Sequence, residues 1–200
     1  MSPRLLLLSL MIASLSFTAP SRANEGKMAP DAVQASPDEL RKKALDDLFK
    51  RLREAPDPDA AAPVRAAIEK LWAHTGSPTA NLLMARAESL LKAEMGAQAA
   101  SLLDRIVQIY PDWSLAWRRR AQSALIQGDG EGAMLDLDHA LTIDPRNFLV
   151  MSDLATLMSA EGRNEPALHI LRRALDFDPQ NEDLRKAADQ LQRQVEGQRI

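Results

Sequence analysis

From residue 37 onward, apolar positions recur at spacings of three and four, the period of one face of an α-helix. Leu40, Ala44, Leu45, Leu48, Phe49 and Leu52 make the first such stripe. Ser36-Pro37-Asp38-Glu39 stands before it and reads as a helix start. Ser36 can cap, Pro37 suits the first helical place, and Glu39 can reach back as in a capping box. Ala55-Pro56-Asp57-Pro58 breaks the pattern with two prolines and two acids. A second stripe of Val64, Ala67, Ile68, Leu71 and Trp72 predicts a helix over about residues 59–74, ended by Gly76-Ser77-Pro78. Residues 37–76 thus form an N-terminal helical pair. At the other end, Leu184, Ala187, Ala188, Leu191 and Val195 predict a last helix within residues 180–200, with Arg185, Lys186, Gln192 and Arg193 facing out.

Between these flanks the pattern repeats. Pro111, Pro145 and Pro179 are spaced by 34 residues. In the same register fall Ala87, Ala121 and Ala155; Ala99, Ala133 and Ala167; Leu103, Leu137 and Leu171; and Ile106, Ala140 and Ala174. Three units follow, at about residues 77–110, 111–144 and 145–178, each with two helical stripes and a turn. Gly128-Asp129-Gly130 and Gly162-Arg163-Asn164 mark two of the turns; Glu94-Met95-Gly96 marks the other more weakly. Alanines at fixed places let helix axes approach closely. The prolines stop the helices before them, and Asn147 and Asn181 can cap those that follow. One such pair cannot bury its own apolar face, so units must stack.

These residues resemble the tetratricopeptide repeat (TPR) family, whose pattern is W-x2-L-G-x2-Y, A-x3-F and P over 34 residues. The middle unit reads Trp117, Arg120, Ala121 and Ala124, then Ala133 and Leu137, then Pro145. The first reads Leu83, Arg86, Ala87 and Leu90, then Ala99, Leu103 and Pro111; the third reads Met151, Leu154, Ala155 and Met158, then Ala167, Leu171 and Pro179. Arg86 and Arg120 stand where the family usually has leucine. The resemblance covers residues 77–179 and implies an all-α, right-handed superhelical solenoid. The N-terminal pair is expected to stack on one end as a cap, and the last helix to cover the other. With its leader, the whole chain looks like exported TPR proteins of alphaproteobacteria.

The resemblance also implies a concave groove lined by the first helix of each unit. Its lining would be Asn81, Met84, Glu88 and Leu91, then Leu115, Arg118, Gln122 and Leu125, then Leu149, Ser152, Thr156 and Ser159. TPRs of the co-chaperone kind hold a C-terminal carboxylate with Lys and Asn. Here Met84, Ala85, Glu88, Arg119, Leu149 and Asp153 occupy such places, so that clamp is missing.

The start of the chain is of another kind. Arg4 precedes an uncharged, apolar run at residues 5–19, and Ser21-Arg22-Ala23 supplies small residues at the −3 and −1 places of a cleavage site. Residues 1–23 therefore read as a signal peptide cleaved after Ala23, residues 24–36 as a flexible leader, and the mature protein as periplasmic. The run is shorter than the roughly 20 residues of a membrane span. Cleavage removes two arginines and no acid, leaving 23 basic against 28 acidic residues, a net charge of −5. That balance speaks against nucleic acid and anionic membrane surfaces as partners.

Composition agrees with a helical fold: 32 Ala and 30 Leu against 18 Val, Ile and Thr together. There is no cysteine, which excludes disulfides, thiolate chemistry and Cys-ligated metals. His74, His139 and His169 have no metal-ligand spacing, and Gly128 to Gly132 lacks the lysine of a phosphate loop. Asp129, Glu131, Asp136 and Asp138 lack calcium-loop spacing, and Asp136 and Asp138 read as solvated surface. In the run Arg118-Arg119-Arg120, helical geometry fans the three side chains apart; the TPR resemblance implies that Arg118 faces the groove and Arg120 lies nearer the packed side, to pair with an acid such as Asp104 or Asp136. Trp72 and Trp117 read as core, and Trp113 lies outside the core pattern. No catalytic residue, metal or cofactor is expected. The expected function is a protein-binding scaffold that takes a partner protein or peptide in its groove. A structural, self-associating solenoid of the cell envelope is the alternative.

Overall fold

The computed structural model describes residues 36–198. The signal-peptide reading of residues 1–23 and nearly all of the leader lie outside the described residues. Among those described, nine α-helices and no strand occur: α1 (Pro37–Glu54), α2 (Pro58–Ala73), α3 (Pro78–Lys92), α4 (Gly96–Ile109), α5 (Ser114–Ile126), α6 (Gly130–Ile143), α7 (Phe148–Ala160), α8 (Asn164–Phe177) and α9 (Glu182–Gln198).

The helix ends follow the local chemistry. The Ser36–Glu39 capping box forms with both bonds present, and Pro37 opens α1. Asp57, Ser77, Asp129 and Asn147 each accept an N–H of the first turn of the helix they precede. Asn181 does the same for Leu184. The turns inside the units pass through the left-handed region at Gly128 (φ 79°) and Gly162 (φ 77°). The register puts Glu94 at that place in the first unit, and it takes φ 55°.

The three repeat units are α3–α4, α5–α6 and α7–α8. Their in-register alanines are closed off from water: Ala87, Ala99, Ala133, Ala155 and Ala167 are all 0% exposed. The matching leucines Leu103, Leu137 and Leu171 fill the space between helices. The helix α9 lays Leu184, Ala188, Leu191 and Val195 against the last unit.

The helical pair α1–α2 does not stack on the free end of the first unit. It folds along the edge where one unit passes to the next, and shares one apolar cluster with α7, α8 and α9. Phe49 stands at its centre, 0% exposed, with ring centroids 5.9 Å from Trp72, 6.4 Å from Phe148 and 6.0 Å from Phe177. Arg65 reaches Asp178, Trp72 Nε1 donates to Asp144, and Arg146 reaches Asp46. The pair is drawn there by the aromatic surface at the unit boundaries, where Phe148 and Phe177 meet Phe49.

Two other expectations change with it. Leu40 is 57% exposed. At about 100° per residue, nine residues put it on the side of α1 opposite Phe49. Trp113 is buried, because its Nε1 donates to the carbonyl of Trp72 at the end of α2, at 2.9 Å.

Candidate functional site

The first helices of the three units, α3, α5 and α7, carry the residues expected to line the groove. Charged side chains tie them together. Arg118 Nε donates to Asp153 on α7 at 2.6 Å, and Arg119 Nε donates to Glu88 on α3 at 2.9 Å. Arg119 also donates to the side-chain oxygen of Gln122 at 3.0 Å. The ion pairs thus run across neighbouring helices, and both the Arg118 and Arg119 charges are already neutralised.

Beside this row lies a cleft of about 330 Å³ between α5 and α7. Ala121, Leu125, Leu137, Leu157 and Ala160 give it an apolar interior, with Gln122, Asp153 and Thr156 as its polar edge. Leu125 is 43% exposed and stands at the rim of this cleft. Gln122, Leu125 and Thr156 of the expected lining therefore meet in one place.

The remaining expected residues are placed differently. Met84 and Leu115 are buried in the core cluster of the first unit and give no open surface. Leu91 packs against that same cluster, and Leu149 against the cluster that holds the N-terminal pair. Asn81 is engaged with the backbone of Thr75. Ser159 donates to Asn164, while Ser152 lends its carbonyl to Thr156. The groove is thus largely closed along α3 and at the starts of α5 and α7, and open between the later turns of α5 and α7. Asp153, Leu157 and Ala160 complete the open part. Their signal in the sequence was register: Asp153 follows Arg118 by one repeat and one residue.

The third arginine of the run faces the interior. Arg120 reaches Asp136 at 2.5 Å and Asp104 at 3.3 Å, and lies 4.5 Å from the Trp117 ring centroid. Its bond to Asp136 raises the guanidinium above the ordinary arginine range despite partial burial. Asp136 is accordingly buried, not solvated, because α6 presents it to α5. Trp117 is half-buried, donates to the carbonyl of Pro111 at 2.7 Å and meets the His139 ring at 3.9 Å between centroids, tilted by 50°.

A larger cleft, about 960 Å³, opens along the unit-boundary edge between α1 and the loops before α5 and α7. Two of its three Lys and Arg side chains, Arg41 and Arg146, are engaged within the chain. Arg41 donates to the carbonyls of Leu71 and His74, capping the end of α2, and burial pushes its guanidinium below the usual arginine range. Arg146 is held by Asp46 and Asp144. Among the described residues no three His, Cys, Asp or Glu side chains gather as metal ligands would, and no helix is long and apolar enough to cross a membrane.

The family model described as tetratricopeptide repeat matches residues 124–191. A TPR repeat-containing protein of Rhizobium etli is 30% identical over 190 residues, spanning 95% of this chain and 93% of its own. The chain belongs to the tetratricopeptide repeat family. Solved TPR structures share its fold at low identity. The Sgt2 TPR domain from Aspergillus fumigatus matches with a TM-score of 0.56 at 16% identity, over 60% of this chain and 81% of that one. The first TPR of Spaghetti (RPAP3), bound to an HSP90 peptide, gives 0.55 at 16% identity, over 61% of this chain and 97% of that one. In TPR terms, α3, α5 and α7 are the inner helices, and the architecture is the expected all-α solenoid with flanking helices.

Proposed function

We propose that this TPR protein is a non-catalytic scaffold that binds a partner protein in the open half of its groove. The observation that carries this reading is the apolar cleft between α5 and α7, with Leu125 at its rim and its charged neighbours already paired. Such a site rewards an apolar side chain of an extended or helical segment, and offers little to a free carboxylate. A related fold, the Spaghetti TPR, is bound to a peptide, which supports the class of ligand. Residues 1–23 carry the pattern of an export signal, so the proposed setting is the periplasm, with the mature chain beginning at Asn24. Intact mass of the exported protein tests the setting; a retained N-terminus would refute it.

Photo-crosslinking in the native cell envelope tests the binding site. A probe at Leu125 is expected to give a specific heterologous adduct that disappears when Thr156→Trp fills the cleft. A probe at Arg193, on the exposed side of α9, is expected to give none. Adducts of the chain with itself alone would transfer the reading to a self-associating envelope solenoid. No adduct from Leu125 would remove the groove assignment.

A further inference from the structure

The repeat register exposes a second surface, at the end of the solenoid that the N-terminal pair leaves bare. Leu82 on α3 shares its place in the repeat with Ala116 on α5 and Val150 on α7; one further step of 34 residues reaches Leu184 on α9. Those three are 0%, 0% and 3% exposed, because each faces the second helix of the unit before it. Leu82 is 72% exposed. Among the described residues only α1–α2 come before α3 in sequence, and they pack at the unit-boundary edge instead.

The same register says what chemistry covers such a face. Arg86 and Ser89 on α3 correspond to Arg120 and Ser123 on α5. On α5, Arg120 takes Asp104 from the preceding helix α4, and Ser123 Oγ donates to the carbonyl of Gly96 at its start, at 2.7 Å. On α3, Arg86 is exposed and makes no ion pair among the described residues, while Ser89 turns its hydroxyl back to the Ala85 carbonyl. A face with the residues of a helix junction is present, and among the described residues no second helix covers Leu82.

We propose that the outward face of α3 is a docking surface for one amphipathic helix of a partner protein, which sets an apolar stripe on Leu82 and a carboxylate beside Arg86 as α4 does beside Arg120. This surface is separate from the groove and does not depend on the groove reading. Apolar contact supplies affinity, and the Arg86 charge fixes register and sign.

The test uses a fluorescein-labelled, helix-stapled peptide spanning residues 95–110 of this chain, the sequence of α4, titrated into the full-length protein by fluorescence anisotropy. Saturable one-to-one binding is expected. Leu82→Glu should abolish it, and Arg86→Glu should weaken it by about fivefold or more. A peptide carrying Asp104→Lys should recover binding to Arg86→Glu but not to the unaltered chain. Thr156→Trp, in the groove, should leave binding unchanged. Absence of saturable binding, indifference to Leu82→Glu, or loss with Thr156→Trp would each overturn the proposal. So would a chain that dimerises in sedimentation equilibrium and becomes monomeric with Leu82→Glu, since the occupant would then be a second copy.

Discussion

Arg65 on α2 grips Asp178 at the end of the third repeat with two parallel hydrogen bonds, Nε to Oδ2 at 2.5 Å and Nη2 to Oδ1 at 3.0 Å. The two residues are 113 positions apart. Asp178 is 0% exposed, and its carboxylate also accepts from the side-chain amide of Asn181. The bond closes the chain on itself and holds the N-terminal pair across the unit boundaries. A planar guanidinium suits this task, because its fork matches both carboxylate oxygens.

Removing Arg65 leaves a buried carboxylate without its cation. Arg65→Ala is expected to destabilise the protein by about 3 kcal/mol, read from the urea midpoint at unchanged m-value. Hydrogen exchange should quicken first in α1 and α2. A loss below about 0.5 kcal/mol would show that the pair is no more than a surface contact.

Phe49 anchors the same pair by packing rather than charge. It touches three aromatic rings and carries the Arg146 guanidinium 4.6 Å above its ring. Phe49→Ala is expected to cost about 3–5 kcal/mol, measured by guanidinium denaturation. Phe49→Leu should recover much of it.

Glu94 occupies, at φ 55°, the turn position that Gly128 and Gly162 fill in the next two units. A side chain there costs free energy that glycine avoids, although glycine also loses more entropy on folding. Glu94→Gly is expected to raise stability by about 0.5–1 kcal/mol, seen as a higher melting temperature. A lower melting temperature would contradict this account of the turn.

Gly96 lets α4 begin in close contact with α5: a Cβ there would lie 2.8 Å from Ile126 Cγ2. Gly96→Ala should therefore destabilise by about 1–2 kcal/mol. Combining it with Ile126→Ala, which removes the obstructing methyl, should return part of that loss. Strict additivity in this double-mutant cycle would mean that the two sites do not meet.

The sequence by itself determined the helices, their caps and the period of the solenoid. These depend on neighbours along the chain: Ser36 and Glu39 close a box within four residues, and the alanines and prolines recur at one spacing. It also directed Arg120 to Asp104 or Asp136, on neighbouring helices of the repeat, and the fold supplies both. Tertiary structure decided where the non-repeating parts go. Nothing local in α1–α2 says that Phe49 will meet Phe148 and Phe177, or that Trp113 will be buried under the end of α2. Those contacts join segments from 41 to more than a hundred residues apart, and their driving force is largely apolar area, which carries no address. The pair settled on the aromatic boundary edge, closed part of the groove's apolar surface into the core, and left Leu82 in water.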